Sequence, residues 1–124
     1  MRKTRIASLF AHFALVAAGL SAPVLGQAPR LSLEHRLLVR CSAAFALVAN
    51  GQDNGNQAAL AYPDITDRAR EYFVRASAQV MDEAGLGRED ISAALSHEAQ
   101  DMLDKDTLDD VMQVCLPMLP PAQN

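Results

Sequence analysis

Cys41 and Cys115 are the residues of this 124-residue chain with the most definite chemistry to offer. Their wide spacing does not make the C-x-x-C arrangement of dithiol redox catalysts, and the C-x-x-C-H motif that attaches covalent haem is missing as well. A structural bridge or two buried thiols remain. An even cysteine pair in a small domain is normally bridged in an oxidising compartment, so the choice turns on whether the chain is exported.

The other reactive side chains form no catalytic pattern. Histidines stand at His12, His35 and His97, and His97-Glu98 is followed by Asp101 instead of a second histidine, which misses the zinc-protease spacing. Asp104, Asp106, Asp109 and Asp110 carry oxygens of the kind that hard cations take, but the glycine and terminal glutamate of a calcium loop are absent, so helix capping is their expected role. Ser32, Ser42 and Ser92 lie in no nucleophile elbow or triad context, and no glycine-rich phosphate loop occurs. These residues predict no metal, no cofactor and no enzyme.

The first residues speak to the compartment. Arg2, Lys3 and Arg5 precede an almost wholly apolar run from Ile6 to Leu20, as in a secretory signal. A run of about fifteen residues spans roughly 22 Å as a helix, short of the hydrocarbon core of about 30 Å. A cleaved leader over residues 1–26 is therefore expected, cut after Val24-Leu25-Gly26, with one domain over 27–124. Its product is periplasmic or secreted, with no membrane attachment after cleavage. Retention of the leader as an anchor is the competing outcome.

Losing those three cations from 11 leaves 8 Lys and Arg against 15 Asp and Glu, a net charge of −7 with histidine neutral. Nucleic acid and anionic lipid repel such a surface. Abundant alanine and the absence of tryptophan suit closely packed helices better than a sheet.

The elements that position the cysteines follow from apolar periodicity. Ser32 caps a helix predicted over 32–50, with Leu33, Leu37, Cys41, Ala44 and Val48 on its inner stripe, and Asn50-Gly51 stops it. A polar loop from Asn50 to Tyr62 leads to a second helix over 64–84, begun at Asp64, lined by Ile65, Ala69, Phe73, Ala76 and Val80, and closed by Gly85. A third is predicted over 88–104, carrying Ile91, Leu95, Ala99, Met102 and Leu103. Thr107-Leu108-Asp109-Asp110 resembles a capping box and opens a fourth over 107–116, ended by Pro117.

The predicted fold is an all-α bundle of three to four helices. Cys41 and Cys115 fall on the inner stripes of its first and last helices, which brings them together as a disulfide. Function is then expected to reside in surfaces. A protein-partner or envelope-complex binding module is the first reading, with Tyr62, Tyr72, Phe73 or Met118 as candidate contact side chains. A stress-responsive holdase chaperone or small-ligand carrier, opened by acid or ligand, is the second. The partner and the oligomeric state are not encoded in any motif.

Overall fold

The structure is a computed structural model that describes residues 31–122. The leader expected over residues 1–26 lies outside the described residues. Among those described, the chain folds as five α-helices and one 3-10 turn, with no strand: α1 (Leu33–Asp53), α2 (Gln57–Leu60), α3 (Thr66–Ala84), α4 (Arg88–Asp104), α5 (Leu108–Cys115), then the turn Leu116–Met118. The all-α class holds, while the count of three to four helices is corrected to five.

The additional helix comes from the segment read as a polar loop. Ser32 does cap α1, its Oγ accepting the His35 N–H at 3.0 Å, but α1 runs through Asn50-Gly51 to Asp53. The glycine answers a packing demand: a Cβ at Gly51 would stand 2.6 Å from the Ala59 Cβ. The left-handed residue that ends α1 is instead Gly55, at φ 70°, and the Asn56 N–H donates to the Gly51 carbonyl at 2.8 Å. Asn56 then caps the four-residue α2, its Oδ1 accepting from Ala58 and Ala59 at 3.0 and 3.2 Å.

Gln52 fastens this corner. Its Nε2 donates to the carbonyls of Ala59, Tyr62 and Pro63 at 3.1, 3.3 and 2.9 Å, and its Oε1 accepts the Ile65 N–H at 3.3 Å. Asp64 accepts the Thr66 N–H at 3.1 Å just ahead of α3. Gly85, at φ 66°, ends α3 as its position predicts, and the Leu86 N–H donates to the Met81 carbonyl at 3.0 Å. Buried Leu86 folds back on the core, and the Gly87 N–H donates to the Asp90 carboxylate at 3.1 Å to begin α4.

The capping box expected at Thr107 does not form. Its ψ of 7° is not the extended backbone from which a capping side chain reaches the first helical N–H groups, and the buried Thr107 Oγ1 has no hydrogen-bond partner. Asp106, at φ 53°, takes the left-handed position between α4 and α5.

Helix α1 is the centre of the bundle and packs against α2, α3, α4 and α5. One buried cluster joins Cys41, Ala44, Phe45 and Val48 to Ile65, Ala69, Tyr72, Met102, Met112, Cys115 and Leu119. Phe45 meets Tyr72 edge to face, with ring centroids 5.0 Å apart. A second cluster joins Val39, Val80, Leu86 and Ile91, and Leu38 and Leu95 pack against both. Three parts of the predicted stripes are corrected: Leu33, Leu37 and Leu103 are 77%, 38% and 55% exposed. Burial runs almost all round α1 from Val39 to Phe45, where its neighbours surround it. At its N-terminal end, His35 meets Glu83 of α3 at 2.8 Å and the apolar cover stops.

Candidate functional site

Cys41 and Cys115 are bonded, with their Cα atoms 5.4 Å apart across a sequence separation of 74 residues. Neither has accessible surface. On one side, the Met118 Sδ packs 3.7 Å from the Cys41 Sγ. On the other, a groove of about 330 Å³ runs between α1 and α5 with Cys115 in its floor. Leu37, Val111 and Val114 form its apolar wall, and Arg40, Thr107 and Asp110 its polar rim. Leu37 is 38% and Val114 61% exposed, and Leu33 stands one turn from Leu37 on the same side of α1.

The rim charge is fixed in place. Arg40 Nη1 donates to Glu98 Oε2 at 2.6 Å and to Asp101 Oδ2 at 3.4 Å, and Lys105 Nζ lies 2.5 Å from Asp101 Oδ1. Burial opposes the Arg40 charge, but the Glu98 and Asp101 carboxylates outweigh it and raise its pKa. Lys105 first, and then Arg40, hold the Asp101 carboxyl below its ordinary range against the cost of burial.

Three other hollows lie elsewhere on the bundle. Two of about 250 and 300 Å³ flank Phe73 and Ala46, between α1 and its neighbours α3 and α4. A third, of about 440 Å³, is edged by Asp64, Asp67, Glu71 and Arg68.

The remaining candidates are dispersed. Asp104 accepts from Gln100 at 2.8 Å, Asp106 makes the turn, Asp109 accepts a hydrogen bond from the Tyr62 hydroxyl, and Asp110 stands on the groove rim. His97 and Ser92 are exposed, and Ser32 is occupied as a cap. Ser42 is 1% exposed and its hydroxyl has no partner that could activate it. Among the described residues, no group of three or more His, Cys, Asp or Glu gathers as a metal site. No described helix is long and apolar enough to cross a membrane.

Of the four side chains considered for surface contact, Tyr72 is buried, Tyr62 is tied to Asp109, and Phe73 and Met118 are half-buried. The exposed large apolar residues among those described are others: Leu33, Leu37, Leu60, Val74, Leu103 and Val114. Helical spacing does relate Leu33 and Leu37 to Cys41, and Val111 to Cys115, whereas Val114 adjoins Cys115 and gives no such signal. Spacing does not reveal that the short α5 leaves them open to solvent. The chain matches no family model, no curated protein and no solved structure. Chemically, the groove offers apolar contact beside the ion-paired Arg40 and the exposed Asp110, which suits binding.

Proposed function

We propose that the protein is a small exported, non-enzymatic module of the periplasm or external medium that binds a protein partner or supports an envelope complex. The observation that carries this reading is the apolar groove at Leu37, Val111 and Val114, rimmed by Arg40 and Asp110 and extended by exposed Leu33. Apolar wall with charged rim is the pattern of a contact surface, where buried apolar area supplies affinity and charges supply register. The disulfide, normally formed in an oxidising compartment, and the leader-like residues 1–26 support export.

Photoreactive residues placed at Leu37 and Val114, with Val74 as an exposed control on α3, test the surface in cells that export the protein. A discrete adduct from positions 37 and 114, absent from 74, is expected. Equal labelling at all three positions, or none at any, overturns the reading. The intact mass of the recovered chain checks export separately, with a start near Gln27 and both cysteines oxidised as the expected result.

A further inference from the structure

We propose that the Cys41–Cys115 bond is a redox latch on α5: its reduction frees α5 and the 3-10 turn from α1 and uncovers an apolar face, while α1, α3 and α4 stay assembled. This inference does not depend on the partner-binding reading.

The distribution of buried residues is the first argument. The main cluster takes Met112, Cys115 and Leu119 from the C-terminal segment, whereas the second cluster, Val39, Val80, Leu86 and Ile91, takes nothing from it. Withdrawal of α5 therefore leaves the second cluster whole. The ion pairs of Arg40 with Glu98 and Asp101, and the contact of His35 with Glu83, also lie wholly between α1, α3 and α4.

The short, uncapped helix α5 and its few polar ties are the second argument. Its eight residues fall short of the roughly 12–15 that make even a good helix marginal by itself. Thr107 gives it no side-chain cap, and Pro117 follows at once. Besides its packing on α1 and the burial of Met112 and Leu119 in the main cluster, the side-chain hydrogen bond that ties α5 to the rest of the fold is that from Tyr62 to Asp109. The disulfide is the strong restraint on this segment.

A dithiol reductant supplies the two electrons. Neither sulfur is accessible, so one reductant thiolate attacks as the end of α5 opens, the S–S bond breaks, and the departing cysteine sulfur takes up a proton. The second reductant thiol then resolves the mixed disulfide. Two protein thiols and one oxidised reductant result. Met112 and Leu119 become accessible beside Leu37, Val111, Val114 and Met118, which are already at least partly at the surface, making one continuous apolar area.

Amide hydrogen exchange on the full mature chain, oxidised and in dithiothreitol, tests the latch, with alkylation and intact mass confirming two free thiols. Amides from Leu108 to Leu119 are expected to lose ~100-fold more protection than those around Val39, Val80 and Ile91, as in a sub-global opening. Binding of an apolar dye rises in parallel, and a Cys41→Ser/Cys115→Ser variant shows the same pattern without reductant. Equal loss of protection throughout the chain, no loss anywhere, or a bond that resists dithiothreitol until denaturant is added overturns the proposal.

Discussion

Gly51 and Ala59 approach so closely that a methyl group on Gly51 would stand 2.6 Å from the Ala59 Cβ. This contact seats α2 on the last turns of α1. Inside a helix, Gly51→Ala gains about 1 kcal/mol of helix propensity. Overpacking against α2 costs about 1–3 kcal/mol. A net loss on the order of 1 kcal/mol is expected in urea unfolding, and Ala59→Gly in the same chain should recover part of it. A stabilised Gly51→Ala protein would show that α2 yields freely.

The bridge governs thermal stability. Closing a loop of 74 residues removes about 4 kcal/mol of unfolded-chain entropy in the simplest treatment. Cys41→Ala is expected to lower Tm by on the order of 20 °C, read by calorimetry. The unpaired Cys115 should yield a dimer that disappears on a reducing gel. An unchanged Tm with no thiol pairing contradicts this account.

Acid acts through Asp101. Lys105 and Arg40 hold its carboxyl below the ordinary value of 3.8. A lowered folded pKa lends stability that is present above the unfolded value and is lost as pH falls through the folded one. Urea midpoints should therefore fall below about pH 4. Asp101→Asn, less stable at neutral pH, should approach the wild type as the pH falls. Parallel acid limbs in the two proteins would remove Asp101 as the cause.

Alkali acts through the tyrosines. Burial, and then the Asp109 carboxylate, push the Tyr62 hydroxyl up to about 12, and burial alone raises Tyr72. A raised folded pKa gives stability that is complete below the unfolded value of about 10 and is lost as pH rises through the folded value. Tyrosinate absorbance should therefore develop above the ordinary tyrosine range for both side chains. Tyr62→Phe should remove the component near 12 and shift the loss of stability. Ionisation of Tyr62 near 10 in the folded protein would argue against the contact with Asp109.

Much of the fold was legible because local rules and tertiary packing agree there. Ser32 caps, Gly85 turns left-handed, and the cysteines lie on facing inner stripes. At Gly51 the same rules misled, since a glycine that stops a helix and one that admits a neighbour look alike in sequence. Helix α2 is too short for periodicity to register, and Gln52, its fastener, reads as an ordinary loop residue. The groove was least legible. Periodicity marks Leu33 and Leu37 as inward-facing, and only the packing arrangement shows that burial on α1 begins in earnest at Val39.

The disulfide also gives the chain a different connectivity. From Cys41 to Cys115 the backbone and the bridge form a closed ring, and the exposed tip at Asn54-Gly55 lies on its circumference. A single peptide bond cut there by a protease opens the ring without dividing the molecule. Both fragments stay covalently joined, so a nicked chain keeps α1 tethered to α5 until the bridge is reduced.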